Sequence, residues 1–92
     1  MNIEDLIKNK NAKIVDVRTP NEYFGGNADG SINIPLSELP YRIEEIKALN
    51  SPIILCCASG IRSKVAADIV QKHDIECYNG GSWVDVMSCI NC

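Results

Sequence analysis

Short apolar runs alternate with amphipathic stretches along the whole 92-residue chain. The apolar runs contain few polar residues, which is typical of strands that are buried on both faces of a sheet. Strands are predicted at residues 13–17, 31–34, 53–57 and 76–79. Helices are predicted at residues 3–8, 20–24, 37–49 and 62–73, and after residue 82. This order predicts an α/β fold, a small three-layer sandwich with a mostly parallel sheet of four to five strands flanked by helices.

Two local signals refine the helix predictions. Thr19 and Glu22 have the spacing of a capping box, with Pro20 at the first helical position. Residues 37–49 carry one apolar stripe with Pro40 in the first turn, so we predict a single helix there. No repeat, linker or low-complexity segment divides the chain, and we expect residues 1–92 to form one domain.

Composition and charge argue against several classes of protein. The net charge is −3 without a basic cluster, which argues against nucleic acid or an anionic membrane as a partner. The longest apolar stretch, residues 53–58, is far too short to span a bilayer. The first residues lack the basic and apolar regions of a secretion signal. We therefore expect a cytoplasmic protein with reduced thiols, and we expect it to be a monomer.

Five cysteines stand at positions 56, 57, 77, 89 and 92, an odd number that does not indicate a disulfide framework. Their spacing with the single histidine does not supply four zinc ligands, so we expect no metal and no other cofactor. Cys56 and Cys77 lie in predicted strands and are expected to pack in the core. Cys89 and Cys92 have the spacing of a redox dithiol, and a resolving or sulfur-relaying role stays open beside no role.

The candidate chemistry lies in the loop between the predicted strand at 53–57 and the helix at 62–73. Cys57 opens this loop and Gly60 is its fourth residue. Such a loop, closing onto a helix N-terminus, points backbone N–H groups at the cysteine sulfur. The helix dipole and Arg62 add positive potential, so we predict a Cys57 pKa below that of an ordinary thiol. Contacts with a bound anion are expected from Ala58, Ser59, Gly60, Ile61 and Ser63.

Other residues converge on the same edge, because ligand sites of parallel sheets lie beyond the carboxyl ends of the strands. Arg18 follows the first strand and is a candidate for substrate binding. An ion pair between Arg18 and Asp16 that only fixes the loops is the alternative for this residue. Trp83 is expected to belong to the core rather than to the substrate site.

Four short motifs occur in a fixed order along the chain. They are Asp16-Val17-Arg18 with Glu22-Tyr23, Ile32-Asn33-Ile34-Pro35-Leu36, Cys57-x-x-Gly60-x-Arg62-Ser63, and Gly80-Gly81 with Trp83. Between about residue 13 and residue 84, the sequence resembles the single-domain rhodanese-like sulfurtransferases. Two departures stand out. Asn27-Ala28 replaces the family's usual histidine–isoleucine, and four core strands are expected where five are usual.

The resemblance implies a thiosulfate sulfurtransferase of the rhodanese type. Cys57 would take sulfane sulfur from thiosulfate or a similar small anionic donor, hold it as a persulfide, and pass it to a thiol or cyanide. Arg62 would neutralise the donor, and a protein thiol such as that of a thioredoxin is among the acceptors considered.

Two other functions stay open at the level of sequence. A non-enzymatic sulfur carrier or interaction module of the same fold would preserve the same loop. A phosphatase is the weaker alternative, because Cys56 and Arg62 have the spacing Cys-x5-Arg. Counting from Cys56 aims the nucleophile into the strand, whereas counting from Cys57 gives a loop one residue shorter and sized for a sulfur atom.

Overall fold

Four parallel strands form one sheet in the computed structural model, which describes residues 2–91. They are β1 (Lys13–Asp16), β2 (Ile32–Asn33), β3 (Ile53–Cys57) and β4 (Cys77–Ser82). The order across the sheet is β2-β1-β3-β4, and every neighbouring pair is parallel. This confirms the predicted α/β class and the four-strand count.

Helices cover both faces of the sheet. They are α1 (Ile3–Lys8), α2 (Pro20–Phe24), α3 (Ile43–Ala48), α4 (Ile61–Gln71) and α5 (Trp83–Ile90). Within residues 2–91, no helix combines the length and the apolar character needed to cross a membrane. The capping box predicted at α2 is present, since Thr19 Oγ1 accepts from Glu22 N and Glu22 Oε1 accepts from Thr19 N.

The side chains of β3 divide between two apolar clusters, one on each face of the sheet. Ile53, Leu55 and Cys57 pack in the cluster that includes residues of α3 and α4. Ile54 and Cys56 pack on the opposite face, in the cluster that includes residues of α1 and α5. Because successive strand residues point to opposite faces, the two adjacent cysteines have different surroundings.

The single helix predicted at residues 37–49 is wrong, because the segment forms a 3₁₀ turn at Leu39–Tyr41 followed by α3. Pro40 has no N–H to donate, and the following amides of Tyr41 and Arg42 bond three residues back. Arg42 then adopts φ −122° and ψ 21°, outside the helical region. The apolar stripe stays buried across this break, so the pattern identified the buried face correctly but not the continuity of the helix.

The end predicted for the last strand, residue 79, is also wrong, since β4 continues to Ser82 through a β-bulge. Leu55 pairs with Asn79 and Cys56 pairs with Gly81, which leaves Gly80 as the extra residue. A Cβ at Gly80 would lie 2.7 Å from Ile54 Cγ2 and 3.2 Å from the Leu55 carbonyl oxygen. Gly80 therefore lets β4 pass close against β3, and Gly81 adopts φ +80°, a conformation that favours glycine.

We expect Gly80→Ala to lower the free energy of unfolding by about 1–3 kcal/mol, the usual cost of overpacking a core. Urea unfolding followed by circular dichroism measures this change. Gly25→Ala is the matched control, because Gly25 has φ −75° and the nearest atom to its Cβ position lies 3.4 Å away. Equal stability of the two variants would contradict the close approach at Gly80.

Candidate active site

A tight loop joins the end of β3 to the start of α4. Cys57 is the last residue of β3, and Gly60 is the N-cap of α4 with φ +98°, a left-handed conformation that favours glycine. A Cβ at Gly60 would lie 3.3 Å from Gly81 Cα, so the loop also packs against the backbone of the β4 bulge. Both constraints fix the direction of the Gly60 amide.

That amide points at the cysteine. Gly60 N donates to Cys57 Sγ at 2.9 Å, and Ser63 Oγ lies 3.5 Å from the same sulfur. Burial alone would raise the Cys57 pKa, but hydrogen bonds from the Ser63 hydroxyl and from the amides of Ser63, Gly60 and Ser59 outweigh it and lower the pKa. The predicted direction is confirmed, and a hydroxyl that the sequence analysis did not use contributes to it.

The site is closed over the sulfur. Cys57 and Ser63 are fully buried, whereas Ala58, Ser59 and Ile61 are exposed and Gly60 is intermediate. Of the predicted loop residues, Gly60 and Ser63 contact the Cys57 sulfur, and the Ser59 amide also bonds to it.

Asn79 was missed by the sequence analysis and connects three parts of the site. Its Oδ1 accepts from Ser63 Oγ at 2.6 Å and from Gly81 N at 2.9 Å. Its Nδ2 donates to the Gly60 carbonyl oxygen at 3.1 Å. Asn79 therefore holds two groups that contact the cysteine sulfur, and its only signal in the sequence is its position directly before Gly80.

The Ser63 hydroxyl has a single proton to share between Asn79 and Cys57. In the thiol form that proton is donated to Asn79, and Ser63 Oγ is free to accept from the Cys57 S–H. When Cys57 ionises, rotation of the hydroxyl directs the proton to the thiolate, and Asn79 Oδ1 keeps its bond from Gly81 N. Ser63 can thus serve both protonation states.

Arg62 forms an ion pair that the sequence analysis did not predict. Its two terminal nitrogens donate to Glu22 Oε1 at 2.7 Å and to Glu22 Oε2 at 2.9 Å. Hydrogen bonding from Arg62, together with bonds from Thr19, holds the pKa of Glu22 at about 2. Both side chains are roughly one-third exposed. The cation expected to stand alone beside the loop is therefore paired, and Glu22 has a second role besides capping α2.

Arg18 is 4 % exposed and is held by protein groups. It donates to the Asp16 carboxylate at 2.7–3.0 Å and to the Gly26 carbonyl oxygen at 2.6 Å. Its guanidinium carbon also lies 4.9 Å from the centroid of a Trp83 ring. Of the two roles left open for Arg18, the structure shows the buried ion pair, and these contacts leave substrate binding by Arg18 without support.

The remaining cysteines differ from Cys57. Cys56 is fully buried on the other face of the sheet, and burial, with a contribution from Asp16, raises its pKa to about 12. Burial also raises the pKa of Cys77. Cys89 lies in α5, and the predicted role for Cys92 falls outside the described residues. Among residues 2–91, no group of three or more His, Cys, Asp or Glu side chains is arranged to hold a metal ion.

We expect Ser63→Ala to raise the Cys57 pKa, because the thiolate loses one of its hydrogen-bond donors. Iodoacetamide labelling of Cys57, followed across pH by peptide mass spectrometry, measures this value in the otherwise native chain. The parent should show an inflection below that of an ordinary thiol, about pH 8.5. Ser88→Ala is the control, since the Ser88 hydroxyl bonds to Val84 O within α5. An unchanged inflection in Ser63→Ala would contradict the role given to this hydroxyl.

Several known proteins resemble this chain in sequence. It is 42 % identical over 71 residues to the uncharacterized protein YqhL of Bacillus subtilis, covering 76 % of this chain and 56 % of that one. It is 38 % identical over 60 residues to YrkF of the same organism, whose name proposes a sulfur carrier, covering 65 % of this chain and 32 % of that one. The thiosulfate sulfurtransferase GlpE of Pseudoalteromonas translucida is 29 % identical over 72 residues, which cover 78 % of this chain and 68 % of GlpE. The chain thus spans only about half, or less, of the length of YqhL and YrkF.

Solved structures agree with the fold, and the family assignment follows from the sequence profile. A rhodanese-related protein from Thermoplasma volcanium superposes with a TM-score of 0.76 at 31 % identity, covering 96 % of this chain and 88 % of that one. A rhodanese with anions from E. coli gives a TM-score of 0.72 at 30 % identity, with 80 % and 89 % covered. The profile of the rhodanese-like domain matches residues 2–85. The chain therefore belongs to the rhodanese-like domain family.

Proposed function

We propose that this protein is a sulfurtransferase that carries sulfane sulfur as a persulfide on Cys57. The donor is thiosulfate or a similar small anion, and the acceptor is a thiol, a protein thiol such as that of a thioredoxin, or cyanide. The observation that carries the proposal is the Gly60 amide, 2.9 Å from a buried cysteine sulfur whose pKa is lowered by its hydrogen bonds.

The reaction has two displacement steps. The Cys57 thiolate attacks the outer sulfur of thiosulfate, a new S–S bond forms, and the S–S bond of the donor breaks so that sulfite leaves with the electron pair. The acceptor then attacks the terminal sulfur of the persulfide. The Cys57–S bond breaks, and the thiolate is regenerated as the leaving group.

The start of α4 is suited to the negative charge of the terminal sulfur. The N-cap Gly60 offers no side-chain cap, so the first amides of α4 have no intrahelical partner. Backbone N–H groups at a helix N-terminus stabilise an anion without a formal charge on the protein. The persulfide would lie against these amides, and loop opening would admit donor and acceptor to the otherwise covered sulfur.

A sulfur carrier is the second candidate, favoured by the name given to the relative YrkF. A carrier would accept the same persulfide but would pass it only to a partner protein, so turnover with cyanide separates it from the enzyme.

The phosphatase alternative requires Cys56 as the nucleophile. Its position on the opposite face of the sheet from Cys57 and its pKa of about 12 argue against that role.

We expect Cys57→Ser to abolish persulfide formation, because a hydroxyl does not replace the thiolate as the nucleophile and leaving group. Mass spectrometry after incubation with thiosulfate measures the addition of one sulfur atom and its position. Cys56→Ser should keep most of the activity, and Cys56→Ala serves as a second variant that places no hydroxyl in the apolar core. Persulfide on Cys56, or activity that survives in Cys57→Ser, would overturn the assignment.

We expect Arg62→Ala to reduce kcat/KM for thiosulfate by about tenfold, because the anionic donor then meets the uncompensated Glu22 carboxylate beside the loop. The rate at which a preformed persulfide reacts with cyanide should change much less, because Gly60 and Ser63 remain in place. Single-turnover measurements of the two half-reactions separate these effects. Equal losses in both half-reactions would show that Arg62 supports the loop rather than the donor.

A further inference from the structure

The charge beside the Cys57 loop is set by two residues that are 40 positions apart in sequence. Both terminal nitrogens of Arg62 are bound by the Glu22 carboxylate in a two-point ion pair. The carboxylate joins the guanidinium through bonds of 2.7 and 2.9 Å, so its negative charge offsets much of the attraction that Arg62 would exert on a nearby anion. The guanidinium that would attract an anionic donor is therefore compensated in the resting protein.

Arg62 directly precedes Ser63, whose hydroxyl lies 3.5 Å from the Cys57 sulfur, so the ion pair borders the nucleophile. Hydrogen bonding to Glu22 raises the pKa of Arg62 most, and the Cys57 sulfur contributes to the same shift. Glu22 also stays ionised over the whole working range, because its pKa is held at about 2. A donor that approaches Cys57 thus meets the pair rather than an isolated cation.

We propose that Glu22 is a specificity-determining residue, which weakens the preference of the site for doubly charged donors by neutralising Arg62. The inference rests on the proposed sulfurtransfer through Cys57. Attraction to a cation scales with donor charge, so compensation costs thiosulfate, a dianion, more than it costs a singly charged donor such as an organic thiosulfonate. The resting site accordingly suits sulfane donors of low charge.

Glu22→Gln isolates this effect with little disturbance of the fold. Thr19 N and Thr19 Oγ1 both donate to Glu22 Oε1, and the amide oxygen of glutamine preserves these capping bonds. That oxygen also still accepts from Arg62 Nη1, whereas the NH₂ group replaces Oε2 opposite Arg62 Nη2, and the neutral amide does not offset the charge of the guanidinium. The variant therefore keeps the α2 cap and leaves the positive charge of Arg62 without a compensating carboxylate.

A matched control exists on another helix. Glu45 of α3 also binds an arginine at two points, accepting from Arg42 Nε at 2.7 Å and from Arg42 Nη2 at 2.8 Å. Glu45→Gln removes the same charge and the same type of ion pair. It therefore reports any general effect of net charge on donor binding.

The experiment compares kcat/KM for thiosulfate and for benzenethiosulfonate, with cyanide as acceptor, in the parent and both variants. We expect Glu22→Gln to raise the thiosulfate-to-thiosulfonate ratio by at least about threefold at low ionic strength. The ratio in Glu45→Gln should equal that of the parent. Simple loosening of the loop would change both donors alike and leave the ratio unchanged.

An unchanged or lower ratio in Glu22→Gln, with persulfide still formed on Cys57, would overturn the inference and leave the proposed function intact. Failure of the parent to form persulfide from either donor would overturn both. If Glu22→Gln does not fold, the parent alone decides the question through its salt dependence. A compensated site should show a ratio that changes less than about twofold across the range where salt screens exposed charges, and a severalfold fall would contradict compensation.

Discussion

The close approach between Gly60 and Gly81 is the constraint on which the site depends. It brings the left-handed turn before α4 against the bulge of β4, at a distance that leaves little room for a side chain on Gly60. The same approach lets Asn79 reach the Gly60 carbonyl and the Ser63 hydroxyl. The lowered pKa of Cys57 therefore depends on backbone packing at the carboxyl ends of β3 and β4. This packing holds the N-terminus of α4 beside the Cys57 sulfur.

Two arginine–carboxylate ion pairs lie at this edge of the sheet, and they differ in how much they contribute to stability. Arg18 and Asp16 are buried, so breaking that pair would leave an uncompensated charge in the core, at a cost of about 3–5 kcal/mol. Arg62 and Glu22 are partly exposed, and such pairs contribute only about 0–1 kcal/mol to stability. The Arg18–Asp16 pair fixes the loops after β1. The Arg62–Glu22 pair contributes little to stability, and the effect we propose for it is on the charge beside Cys57.

The parts of the fold that sequence predicted are those with strong local signals. β3 is a continuous apolar run, β1 has Ile14 and Val15 at its centre, and the α2 cap is set by residues three positions apart. The break after Pro40 was missed because an apolar stripe reports a buried face and not a continuous helix. The extension of β4 was missed because two glycines are typical of a turn, whereas here Gly80 allows close packing against Ile54 within the strand.

In the candidate site, too, the sequence predicted the residues that are close together along the chain and missed those that the fold brings in from far away. The loop motif identified Cys57 and its amides, since these groups are adjacent in sequence. Glu22 and Asn79 act on the loop from 40 and 16 residues away, and only the fold brings them to Arg62 and Ser63. The roles of Glu22 and Asn79 could therefore be recognised only from the three-dimensional structure.

The two adjacent cysteines show how far one position along a strand can change chemistry. Cys56 and Cys57 share the same backbone strand, and both are fully buried. Burial alone would disfavour ionisation of either thiol. Cys56 points into an apolar cluster and keeps its proton, whereas Cys57 stands at the strand end, where the Gly60 amide and Ser63 reach its sulfur. Ionisation at this edge is thus decided by the donors that the loop supplies, and a one-residue slip of β3 would move one of the two sulfurs into the surroundings of the other.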